Sequence, residues 1–189
     1  MSEVFDFGSM PTFETDRLVL RQIDSDSDLD ALFQLFADPE VARYTDTGPF
    51  ESPNEAVEVM EWIDGIFTQR QGMRWALILK AADDTLIGTA GYNQWHRSNN
   101  SAEIGYDLAQ RYWGQGLMTE ALEPLLAFGF EQMALNRIEA DVTVGNEASM
   151  HVLTKLGFQR EGLLRQRGFW KATYHDVWLF SLLRKDSQH

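Results

Sequence analysis

Three strand-like runs follow one another with almost nothing between them. WALILK (Trp75 to Lys80), LIGTAGYNQW (Leu86 to Trp95) and SAEIGYDL (Ser101 to Leu108) are separated only by short polar links. Links of that length suit antiparallel hairpins and are too short for the crossover that a parallel pair needs. The pattern then changes. RYWGQGLMTEAL (Arg111 to Leu122) runs into a helix, RIEADVTV (Arg137 to Val144) alternates as a strand, and NEASMHVLTKLGF starts a helix at Asn146 that ends at Gly157. Two further strands close the chain. Antiparallel runs followed by strand–helix–strand predict an α/β fold with a mixed, mostly antiparallel central sheet and helices on both faces.

The first third supplies one more strand and two helices. RLVLRQI (Arg17 to Ile23) sets Leu18 and Leu20 on one face against Val19, Arg21 and Ile23 on the other. Ser27 and the acids around it are placed to cap a helix with the stripe Leu29, Leu32, Phe33 and Phe36, stopped by Pro39. Ser52, Pro53 and Glu55 form a capping box for the next helix, whose apolar face is Ala56, Val59, Met60, Ile63 and Phe67. In the last strand Tyr174, Asp176, Trp178 and Phe180 oppose Val177, Leu179, Ser181 and Leu183. Pro124 falls inside the helix expected over Leu117 to Met133 and predicts a bend between Glu120 and Pro124. The N-terminal dozen residues read as loose.

Composition narrows the function. The chain has 189 residues, 44% of them hydrophobic, enough for one well-filled domain. It has no cysteine, which excludes disulfides, thiolate chemistry and Cys-based zinc sites. His96, His151, His175 and His189 are scattered and no HExxH is present, so no metal is expected. The net charge of −13 disfavours nucleic acid and favours a cationic partner, although solubility alone accounts for acidity of this kind. No apolar run is long enough for a membrane span, and MSEVFDFGSM lacks the basic-then-apolar layout of an export signal, so the expected location is cytoplasmic.

The stretch from Arg111 to Leu117 carries the strongest functional signal. Glycine costs about 1 kcal/mol against alanine within a helix, yet Gly114 and Gly116 flank Gln115 at a helix mouth. A strand, a glycine loop and a helix N-terminus together make an anion site, because free N–H groups and the helix dipole point outward there. The phosphate loop GxxxxGK[ST] is not matched, and the dinucleotide fingerprint lacks its third glycine. By itself a Gly-x-Gly pair marks a structural turn as readily as a ligand loop.

RxxGxG (Arg111, Gly114, Gly116), preceded by AEIGYDL and followed by LMTEAL, resembles the acetyl-CoA pyrophosphate loop of the GNAT superfamily of N-acetyltransferases. The opening TDRLVLR, the segment ADPEVARY, the helix NEASMHVLTKLGF and the final DVWLFSLL resemble, more narrowly, the branch that acetylates ribosomal-protein N-termini. The resemblance runs from about Thr15 to Leu183. It implies a single-domain GNAT fold over 15–185 after an N-terminal extension over 1–14. It implies acetyl-CoA as cosubstrate, with its pyrophosphate on the backbone of Arg111, Tyr112, Trp113, Gly114, Gln115, Gly116 and Leu117. It also implies that SAEIGYDL and RIEADVTV splay apart and that the pantetheine arm pairs with the backbone of Tyr106, Asp107 and Leu108.

Acetyl transfer needs an acceptor for the amine's proton and donors for the thioester oxygen and the departing thiolate. By resemblance Asn146 contacts the pantetheine and Ser149 sits near the sulfur; as residues alone, the two read as an N-cap and its companion. The tyrosine acid of many superfamily members falls at Leu153, so Ser149 is the expected donor. Glu103 is the expected base, because alternation puts it on one face with Gly105 and Asp107; Glu161 is its rival. Tyr44, Trp95, Trp170 and Tyr174 are candidates for the acceptor groove, and Met118, Leu122 and Leu126 for the core. The acceptor implied is a primary amine, foremost a protein α-amino group such as a ribosomal protein N-terminus. The alternatives are a small amine (a polyamine, an amino acid or an aminoglycoside) or acyl-CoA binding without catalysis. A monomer or a homodimer is expected, with Trp62 and Phe67 on the helix that could carry a dimer contact.

Overall fold

The computed structural model describes residues 5–81 and 84–187. Eight strands form one sheet in the order β1-β2-β3-β4-β5-β6-β8-β7. In chain order these are β1 (Phe13–Glu14), β2 (Leu18–Gln22), β3 (Met73–Leu79), β4 (Leu86–His96), β5 (Ser101–Leu108), β6 (Arg137–Thr143), β7 (Gln159–Trp170) and β8 (Thr173–Leu183). Among the described residues only the β5–β6 pair is parallel, as the change of pattern after Leu108 predicts.

The helices are α1 (Leu29–Ala37), α2 (Pro39–Ala42), α3 (Pro53–Thr68), α4 (Leu117–Glu131) and α5 (Glu147–Lys155). They cover both faces, and β3 displays the division. Met73, Trp75 and Leu77 join the core under α4, while Ala76 and Ile78 join a second core with Leu32, Phe36, Ala56 and Met60 of α1 and α3. Period-two alternation thus feeds two cores from one strand. The Tyr92 hydroxyl, fully buried, is satisfied by the Leu125 carbonyl at 2.7 Å.

Several local expectations change. Asp28, not Ser27, occupies the N-cap of α1 and makes no side-chain cap bond. Its carboxylate is taken by Arg21, at 2.6 and 2.8 Å, which ties α1 to β2. Leu35 replaces Leu29 and Phe33 in the buried stripe of α1. Pro39 ends one helix and begins another, with the Asp38 side chain capping α2. The α3 capping box is present as expected. α4 runs through Pro124 as one element. The N-terminal stretch is not loose where it is described: Phe7 is buried, Phe5 and Phe13 pack edge-on against Phe128, and Trp75 donates to the Pro11 carbonyl at 2.7 Å. Aromatic burial outweighs the polar, glycine-containing look of the segment.

Candidate active site

β5 and β6 share only three rungs, Ser101–Arg137, Ala102–Ile138 and Glu103–Glu139, and then part. A cleft of about 1180 Å³ lies along the opening. The Ala109 N–H bonds the Ile87 carbonyl, so alternation turns the polar groups of Asp107 and Gly105 toward β4 and those of Tyr106 and Leu108 into the gap. The Leu108 carbonyl is met there by the Trp113 indole N–H at 2.6 Å, which leaves Tyr106 as the free main-chain edge.

The glycine loop lies at one end of this gap. Gly114 and Gly116 have φ of +70° and +76°, a conformation in which a side chain is strained. Gly116 is the N-cap of α4, and the first bond within the helix runs from the Glu120 N–H to the Gly116 carbonyl. The N–H groups of Leu117, Met118 and Thr119 are therefore free of intrahelical partners. The loop is held from behind. Arg17 donates to the Gln115 carbonyl at 3.0 Å and to Glu120 at 2.6 Å, and Thr15 donates to the same carboxylate at 2.6 Å. Gln115 closes the loop on itself through the Arg111 carbonyl. Burial works against the Glu120 charge, but these donors outweigh it and hold its pKa below the ordinary range. Tyr112, Trp113, Gly114, Gly116 and Leu117 line the cleft; the Arg111 guanidinium instead lies 4.9 Å from the Tyr112 ring centroid.

The first turn of α5 faces the gap from the other strand. The Asn146 side chain accepts the Ser149 N–H at 3.1 Å, the N-cap bond its position predicts, and its amide N–H groups remain available. The Ser149 hydroxyl lies 2.7 Å from the Tyr106 hydroxyl. Leu153 is fully buried in the core.

On the opposite face of β5, Glu103 lines the cleft. Burial raises its pKa above the ordinary carboxylate range, and Asp141 raises it further. Asp107, next but one along this face, is paired with Arg74, a guanidinium only 6% exposed. Arg74 also donates to Thr89 at 2.9 Å and to Asn93 at 2.8 Å, so all three of its nitrogens are used. Burial pushes the Asp107 pKa up against the pull of Arg74. Across the gap a bulge in β7, between Leu164 and Gly168, accompanies Arg167, which lies 3.4 Å from Asp141. Asp46, Glu55 and Glu58 add to the wall on the α3 side. Acids therefore dominate this half of the cleft, with Arg74 and Arg167 as its cations.

Of the aromatic candidates, Tyr44 and Trp170 line the cleft. Trp95 is buried in the core and Tyr174 is exposed beside Phe169; neither lines the cleft. Glu161 lies on β7 outside the lining, bonded to Ser181 and Arg137, and these partners lower its pKa. Arg17 lies in TDRLVLR and Arg74 and Asn93 in no motif, and the sequence assigns none of the three a role, because their partners are 15 to 103 residues away.

The acetyltransferase (GNAT) domain model matches residues 17–159. The chain is also 40% identical over 177 residues, 94% of its length and 98% of the relative's, to a Bacillus licheniformis protein named uncharacterized N-acetyltransferase p20. The chain belongs to the GNAT acetyltransferase family. It is an acetyl-CoA-dependent N-acetyltransferase. Among its other relatives is the ribosomal-protein-serine acetyltransferase of Escherichia coli (strain K12), 34% identical over 113 residues, 60% of this chain and 62% of that one. Its fold matches that of a Vibrio cholerae spermidine N-acetyltransferase solved with CoA and spermine, at a TM-score of 0.77 and 23% identity, covering 93% of this chain and 100% of that one. Among the described residues no helix is long and apolar enough to cross a membrane.

Proposed function

We propose that this acetyltransferase modifies a protein N-terminal α-amino group of the ribosomal-protein type. The pyrophosphate of acetyl-CoA rests on the N–H groups between Arg111 and Leu117. The arm pairs with the main chain of Tyr106, and the Asn146 amide holds its distal end. Glu103 accepts the amine's proton through water, the amine attacks the thioester carbonyl, and Ser149 donates a hydrogen bond to the departing sulfur. Glu161, its carboxylate engaged by Ser181 and Arg137 and outside the cleft lining, is the weaker base.

The observation that carries the reading is the acidic half of the cleft, facing away from the glycine loop, with Glu103 set into it. Negative charge attracts a cationic amine, and the raised pKa of Glu103 brings its proton affinity nearer to that of an amine. The ribosomal-protein relative supports a protein acceptor. The same acidic wall, with the fold of the spermidine enzyme, supports a polyamine as the second reading. Acetyl transfer to peptides beginning with serine or alanine, measured beside transfer to spermidine and to free amino acids, separates the two. A kcat/KM for the peptides at least ten-fold above that for spermidine is the expected result; the reverse order replaces the protein acceptor with a polyamine.

A further inference from the structure

Pairing of the pantetheine arm engages the main chain of Tyr106 and leaves its hydroxyl idle. That hydroxyl is part-buried, lies 2.7 Å from Ser149 Oγ and 3.3 Å from the Ser149 carbonyl, and both residues line the cleft. Leu153 offers no donor from α5, so the phenol at this end of the gap reaches the helix from β5. We propose that Tyr106 is the positioning residue of the thiol end: its O–H donates to Ser149 Oγ and turns the serine's own hydrogen toward the thioester sulfur. The inference rests on the assignment of Ser149 to the sulfur.

The needs of the sulfur favour one direction. A hydroxyl has one hydrogen to give. If Ser149 gave its hydrogen to Tyr106, the serine would have none left for the sulfur. If Tyr106 donates across the short 2.7 Å contact, the serine hydrogen is free for the cleft. Desolvation raises the pKa of this phenol above its ordinary value, so it remains a donor throughout turnover. In the transfer step the C–N bond forms and the C–S bond breaks. The electron pair leaves on sulfur, where it accepts the Ser149 hydrogen bond. The amine's proton leaves through water to Glu103. No proton has to leave the Tyr106–Ser149 pair, which suits two groups that are both weak acids.

The test follows the thiol of bound CoA, which needs no acceptor. CoA labelled with carbon-13 at the carbon bearing sulfur reports its thiol pKa by NMR against pH. In the wild type that pKa should lie below the value for free CoA. Tyr106→Phe keeps the ring in its packing and should raise it by about one unit, a ten-fold change in acidity. Ser149→Ala should raise it at least as far, and the double variant no further, because the tyrosine acts through the serine. CoA affinity should stay within about two-fold in all three. With any accepted amine, Tyr106→Phe should lower kcat and leave the KM for acetyl-CoA unchanged. A wild-type thiol pKa in Tyr106→Phe beside a raised one in Ser149→Ala overturns this proposal alone. Additive shifts, or a loss confined to CoA affinity, also overturn it. No shift in either single variant removes the Ser149 assignment with it.

Discussion

The two faces of β5 are built on opposite plans. Toward α4 and α5 the cleft offers mainly main chain: free N–H groups of the glycine loop, the edge of Tyr106, and a few neutral side chains held by one another. Toward α3 it offers charged side chains: Glu103, Asp107, Arg74 and Asp141, each facing a partner of like or opposite sign. The first plan suits a cosubstrate whose phosphates and amides are the same in every encounter. The second suits an acceptor chosen by charge and shape. A main-chain site depends on backbone conformation and tolerates most side-chain changes, whereas a charged site depends on each partner in turn.

Substitutions on either face should therefore fail in different ways. The largest effect is expected for Arg74→Met, which leaves Asp107 buried without its cation. Urea unfolding should reveal a loss of about 3 kcal/mol. With Asp107 raised in the folded variant, that loss is smallest at acid pH, where the carboxyl is protonated folded and unfolded. It grows as pH climbs through the raised value that Asp107 already has beside Arg74, above which the wild type holds the charge paired and the variant does not. Adding Asp107→Leu should recover most of it; a loss independent of pH would mean that packing, not charge, holds this face together.

Next comes Glu103→Gln, with an expected fall in kcat/KM of about a hundred-fold and no change in acetyl-CoA affinity. Because its pKa is raised, wild-type activity should climb with pH through a value above the ordinary carboxylate range, and the variant should lack that limb. The loss should be greatest between that pKa and the pKa of the amine, and should fade once the amine is neutral without help. An equal loss at every pH would transfer the base role to water or another group. Gly116→Val should weaken acetyl-CoA binding about ten-fold or more by calorimetry, with the KM for the acceptor unchanged. A shift in acceptor KM would mean that the faces are coupled. The smallest effect is expected for Glu120→Gln, which removes the charge that Arg17 and Thr15 hold while Arg17 keeps its bond to the Gln115 carbonyl. It should lower the melting temperature by roughly a few degrees. Since the folded Glu120 pKa is lowered, the difference should be present above the unfolded carboxylate value and vanish as pH falls through the folded one.

The main-chain face was the legible one. Gly114 and Gly116 needed their positive φ whatever surrounded them, and Asn146 at a helix start predicted its cap bond to Ser149 without reference to the rest of the chain. The same locality made the hairpins β3–β4–β5 and the α3 capping box readable. The charged face was legible only at Glu103, because alternation along one strand could place it. Arg74 is set by its register with β4, and Arg167 lies in a bulge whose extra residues leave no periodic trace. The reason for a carboxylate at Asp107 is visible only with Arg74 beside it. The N-terminal segment misled for a related reason: Phe5, Phe7 and Phe13 find their partners on α3, α4 and β3, far along the chain.

The three rungs between β5 and β6 have a mechanical meaning. They are the sheet's only seam between β1–β5 and the unit of β6, β8 and β7. An arm laid along Tyr106 would act as a partial ninth strand, a splint across that seam. Loading the acetyl donor should then stiffen the acceptor wall, so the enzyme would finish building its second binding surface only after the first substrate is in place.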